Sequence, residues 1–145
     1  MNRAAAHALF DEQVRHIAGD LLESRTWRVF QRAFPILDVG FEMEGRVPFR
    51  VQMSCEDWND VPPAIALMTF DGAYLTAVPT GPTGIFHAGP HDVTKRPFIC
   101  MAGSREYHTY SGHVNDLWDN YKNVSGYSLG GILEQIWSAW LKSHL

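Results

Sequence analysis

Cys100 closes a short apolar run, Pro97-Phe98-Ile99, and a polar segment follows it at once: Ser104, Arg105, Glu106, Tyr107, His108, Tyr110, His113, Asn115, Asp116 and Trp118. A core cysteine is usually followed by more core, so this thiol is expected to be presented rather than sealed. A thiol can serve as a metal ligand, redox partner, nucleophile or filler. His87, His91, Cys100, His108 and His113 are all zinc-compatible ligand types. They lack the paired-cysteine knuckle of a zinc finger, and no metal or other cofactor is expected. A cysteine beside an imidazole is a competent acyl nucleophile, but the glycine-flanked signatures of cysteine proteases are missing. A cysteine set between Ile99 and Met101 also fits inert filler.

These residues must be held by a single domain spanning 1–145. A chain of 145 residues that is 46% hydrophobic can build one sizeable core. The net charge of −4 disfavours nucleic-acid binding by phosphate neutralisation. No run is long enough to span a bilayer. Charge at Asp11 and Glu12 interrupts the amino-terminal alanines before a signal-like block forms. Two cysteines, Cys55 and Cys100, make no disulfide framework, which points to a reducing cytoplasm.

Phe10, Val14, Ile17, Ala18, Leu21 and Leu22 recur at helical spacing and predict a first helix. Residues 27–34 read as extended or irregular, with Pro35 as punctuation. Leu37, Val39, Phe41 and Met43 alternate with polar or small residues, and Val47, Phe49, Val51 and Met53 do so after the Glu44-Gly45-Arg46 turn. Period two on both sides of a glycine turn predicts an antiparallel hairpin with one buried face. Residues 64–70 form a third, more buried strand ended by Asp71-Gly72. Residues 78–96 show neither period and predict a long loop. Leu129, Ile132, Leu133, Ile136, Trp137, Trp140 and Leu141 predict a strong last helix capped by Ser128, and Gly130-Gly131 suggest close packing at its start. The order helix, β-meander, long loop, helix is an α+β fold with the sheet covered on one face.

Three stretches resemble the ubiquitin-conjugating enzyme (UBC) fold. Phe49-Arg50-Val51-Gln52-Met53, then Trp58 and Val61-Pro62-Pro63-Ala64-Ile65, is similar to that family's third strand, its aromatic loop and its double proline leading into the fourth strand. Phe98-Ile99-Cys100-Met101 is similar to its active-site segment. Trp118, Tyr127-Ser128-Leu129 and Ile132-Leu133-Glu134-Gln135-Ile136 resemble its tryptophan after the cysteine and the helix beyond. The chain departs from the family's His-Pro-Asn element, which here reads Gly89-Pro90-His91-Asp92-Val93, and it ends without the last two helices of the eukaryotic enzymes. The segment from Arg105 to His113 resembles the bacterial branch.

The resemblance implies an acyl carrier. Cys100 would take a ubiquitin-like modifier as a thioester from an activating (ThiF-like) enzyme and pass it to an amine of a target protein. A JAB-type deubiquitinase would belong to the same setting. With the family's asparagine absent, His108, then His91, then His113, and also Asn115, are the candidate donors to the tetrahedral oxyanion. Asp92, Glu106 and Asp116 are candidates to receive the incoming lysine's proton or to orient a histidine. The first helix and the loops at Trp58 and Gly89 are where the resemblance would seat the activating enzyme. A catalytically inactive UBC-like binding module and a His/Cys metal-binding domain are the competing readings.

Overall fold

The structure, a computed structural model, describes residues 2–143. Helix α1 (Arg3–Val14) opens at Asn2, whose side chain accepts from the Ala5 N–H. The helix expected to run through Leu22 stops at Val14 and resumes as α2 (Asp20–Arg25). Gly19 stands between them at φ +54°, a conformation that a side chain would strain. Ile17 is nevertheless buried, so the apolar spacing marked core positions correctly across a break that it could not reveal.

The chain then forms β1 (Trp27–Ala33), β2 (Ile36–Phe41), β3 (Phe49–Ser54) and β4 (Ala64–Met68), an antiparallel sheet in that order. Residues 27–33, read as extended or irregular, are its edge strand, with a bulge between Val29 and Gln31. The predicted hairpin is β2–β3, with Val39 opposite Val51 and Phe41 opposite Phe49. Period two places Leu37, Val39, Phe41, Phe49, Val51, Met53, Ile65 and Leu67 in the core.

Helix α4 (Leu129–Leu141) lies on this face. Leu129, Ile132, Leu133 and Ile136 are fully buried, and Trp140 packs on Phe41 and Phe49. Each such aliphatic side chain contributes about 1.5–3 kcal/mol. Ser128 caps the helix by accepting from the Gly131 N–H. A Cβ on Gly131 would lie 2.5 Å from the Gly126 carbonyl oxygen, which is the close packing the glycine pair suggested. At the other end, the Arg46 guanidinium donates to the carbonyls of Trp140, Leu141 and Ser143. No described helix is long and apolar enough to cross a membrane.

The opposite sheet face carries a small polar and aromatic layer. Asp38 is buried there, paired with Arg50 and accepting from the Gln52 amide. Phe30 and Phe70 meet edge to face over Gly40. A Cβ at Gly40 would lie 2.6–2.8 Å from both rings. Gly40→Ala should therefore cost about 1–3 kcal/mol as the rings are displaced, read as a lower urea midpoint with an unchanged slope.

Candidate functional site

The long loop is less free than its composition suggests. It contains β5 (Phe86–His87), which pairs with β6 (Phe98–Ile99), the strand that ends at Cys100. Between them, residues 91–96 close on themselves: His91 N–H donates to the Arg96 carbonyl and Lys95 N–H to the His91 carbonyl. The His91 side chain is buried at the centre. Its Nδ1 accepts from the Val93 and Thr94 N–H groups, so Nε2 carries the proton and donates to the Glu106 carbonyl at 2.8 Å.

The segment expected to be polar loop contains a short helix, α3 (Arg105–Thr109), capped by Ser104. Ser104 Oγ accepts from the Tyr107 N–H and donates to the Ile99 carbonyl, so the helix cap also grips the residue before Cys100. The double proline is the other anchor. Arg105 N–H donates to the Pro63 carbonyl and its Nε to that of Pro62. Glu106 is buried, and its Oε1 accepts from the Ile65 N–H. Burial pushes its carboxyl up from the ordinary range, and the Ile65 N–H partly opposes that.

Cys100 is half-buried. Its N–H donates to the Ile85 carbonyl at 2.6 Å, and Met101 accepts from the Ser104 N–H at 3.1 Å. Gly103, at φ +103°, lets the loop turn where a Cβ would press on Ile132 and Tyr127. Burial pushes the Cys100 thiol up, opposite to the shift that an activating imidazole produces in a protease pair.

The other sequence-predicted residues fall into two groups. His108, on α3, accepts from the Gly103 N–H at Nε2 (3.1 Å) and donates from Nδ1 to the Asp116 carbonyl (2.6 Å). Both of its nitrogens are engaged, as are those of His91, so neither is a free donor for an oxyanion. Burial holds His108 below the ordinary imidazole range. Asp92 is exposed and accepts from the Ser111 N–H, tying the two loops together. His87 Nδ1 accepts from the Gly89 N–H, and its ring stacks on Phe98. Among the described residues, no group of three or more His, Cys, Asp and Glu side chains converges on a point where a metal ion could sit. His87, His91, Cys100, His108 and His113 are not brought together as such a group.

The second group gathers on the Cys100 side. His113 stacks on Tyr107 with ring centroids 4.3 Å apart. Asp116 Oδ2 accepts from two phenols, Tyr107 at 2.6 Å and Tyr121 at 2.7 Å. Those two hydroxyls hold the carboxyl below its ordinary range, and the carboxylate in turn pushes both phenols up. The cluster is joined to the segment after Cys100 through His108, which bonds to the Gly103 N–H and the Asp116 carbonyl. Asn115, exposed, lies on the same turn. Tyr121 escaped the sequence reading because no local pattern marks it; Tyr107 stood in the polar segment without an assigned role.

Two outcomes follow. Iodoacetamide should modify Cys100 more slowly than a free cysteine at neutral pH, with a rate rising about tenfold per pH unit past the ordinary thiol range. Cys55, buried and also pushed up by desolvation, should stay unmodified until the chain unfolds; peptide mass mapping distinguishes the two. Tyr107→Phe and Tyr121→Phe should each raise the Asp116 titration midpoint, and the double substitution should raise it further, as read by carbon NMR of the carboxyl.

The sequence model of the Y4jH-like family, described as the Y4jH family, matches residues 83–143. No curated protein matches the chain. The matched stretch runs from just before β5 to just past α4 and contains Cys100, α3, Asp116 and both tyrosines. Over that stretch the chain is similar to the Y4jH family.

Proposed function

We propose that this chain carries a ubiquitin-like modifier as a thioester on Cys100 and transfers it to an amine of a target protein, in the manner of the bacterial UBC-like proteins. The observation that carries the reading is a half-buried thiol on a segment pinned by backbone hydrogen bonds and joined, through Gly103 and His108, to the turn whose Asp116 carboxylate is held ionised by two phenols. The order of elements agrees with it: helix, four-stranded meander with the double proline leading into its last strand, cysteine segment and covering helix.

In the first step the Cys100 sulfur bonds to the modifier's terminal carbonyl carbon. The bond from that carbon to the activating enzyme's sulfur breaks, and the Cys100 proton is taken up by the departing thiolate. In the second step an amine nitrogen bonds to the same carbon and the Cys100 C–S bond breaks. The proton lost by the amine returns, through water, to the Cys100 sulfur. A thiol pushed up by burial suits this role, because its thiolate is a strong nucleophile and a slow leaving group, so the thioester persists until an amine is positioned. Asp116, held low, is a weak base. Its part is to stay ionised and orient the incoming amine by accepting one of its N–H groups through Oδ1, which has no hydrogen bond from the described residues. His113 and Asn115 are the remaining side-chain candidates for the oxyanion, where one donor is worth about 3–4 kcal/mol.

The raised thiol and the engaged histidines favour one second reading, a UBC-like module that binds the modifier without carrying it. Incubation with the modifier, the activating enzyme and ATP separates the two. Wild type should form a reductant-sensitive adduct, Cys100→Ser a reductant-stable oxyester, and Cys100→Ala none. Absence of any adduct from wild type, with the modifier still bound, would establish the binding module instead.

A further inference from the structure

His108 joins the two segments that flank the Cys100 cluster. On one side its Nε2 accepts from Gly103, a buried N–H three residues after the thiol. On the other its Nδ1 donates to the carbonyl of Asp116, whose carboxylate receives both phenols. An imidazole can serve as acceptor and donor at once only while it is neutral. A proton on Nε2 would set N–H against N–H at Gly103.

We propose that His108 is a positioning residue operated by a proton: neutral, it clasps Gly103, in the loop of residues 100–104, to the turn that carries Asp116, and protonated, it releases Gly103 from that turn. The inference rests on the hydrogen bonds around Cys100 and is independent of what the thiol carries.

The groups facing His108 define its electrostatics. From α3 itself comes Tyr107, edge-on at 4.9 Å; from the 3₁₀ turn at Trp118–Asn120 and just beyond it come Trp118 and Tyr121; from the preceding turn come Asp116 and His113. Arg105 and Glu106 of the same helix bond away from it, to Pro62, Pro63 and Ile65. Across mild acid, Asp116 stays ionised, because it is held low. Both phenols and the Cys100 thiol are pushed up and stay protonated. That leaves the imidazoles and the Glu106 carboxyl, which burial pushes up, to change charge; the shared His108–Gly103 midpoint and the His108→Gln variant distinguish them. Burial lowers the proton affinity of His108 in the clasped state, and a His108 released into water would hold its proton more tightly. The released population therefore grows as pH falls through the ordinary imidazole range, by up to about tenfold per pH unit.

The test is an NMR titration of the full chain from about pH 8 to about pH 5. The His108 imidazole and the Gly103 amide should share one midpoint. Gly103 exchange protection, corrected for the intrinsic pH dependence, should fall by up to about tenfold per unit below the ordinary imidazole value. His108→Gln offers a carboxamide that can accept from Gly103 and donate to Asp116 without titrating, so its Gly103 protection should stay flat. Retention of Gly103 protection across the His108 midpoint would overturn the proposal, and so would the same loss in His108→Gln, which would assign the change to another group. Should the glutamine variant not fold, the wild-type titration decides alone: separate midpoints for His108 and Gly103 overturn it.

Discussion

The geometry around Cys100 depends on where one turn and a half of helix is set down, and Glu106 sets it. Its buried carboxyl accepts from the Ile65 N–H at the start of β4, and its carbonyl accepts from His91. One residue earlier, Arg105 donates to the two prolines before that strand. A helix of five residues is too short to hold its own shape in water. It persists because its backbone completes the hydrogen bonding of two neighbouring segments. A buried N–H or C=O left without a partner costs about 1–3 kcal/mol, so α3 and the segments it joins are mutually dependent. Desolvation of the Glu106 carboxyl works against this junction, and the Ile65 N–H offsets part of that cost.

Setting α3 this way sends consecutive side chains to different tasks. Glu106 faces the sheet and His91. Tyr107 and His108 face the loop after Cys100 and the turn that holds Asp116. The histidines that make the sequence look like a metal site or a relay are therefore used as hydrogen-bonding joints. His91 closes the loop of residues 91–96, and His108 joins Gly103 to Asp116. Joined to the segment after the thiol through His108 is a carboxylate that receives two phenols, a cluster that keeps negative charge fixed at one point.

The sheet has two working faces of different chemistry. One is apolar and carries α4, and through α4 the wall against which Gly103 and Tyr127 pack. The other buries the Asp38–Arg50 pair under an aromatic pair that fills the space over Gly40. The register that serves one face serves the other, since a slip by one residue would exchange them. The platform beneath β6 is thus held from both sides.

The β2–β3 hairpin, the strand that follows it and the last helix were legible because alternation and helical spacing are local records of which side faces a core; β1 and the two-residue β5 carry no such clear record. The double proline, the cysteine segment and the Ser128 cap were legible because backbone constraints show in residue types. The break at Gly19 was not, since apolar spacing continues across it, and α3 was not, since its stability comes from Pro62, Pro63, Ile65 and His91 rather than from its own five residues. By itself the sequence determined an α+β chain with one candidate thiol and an excess of possible helpers. Only the tertiary structure decided among those helpers. A histidine's chemistry depends on what its two nitrogens meet, and those partners, the Glu106 carbonyl, the Gly103 N–H and the Asp116 carbonyl, are backbone groups that no side-chain pattern records.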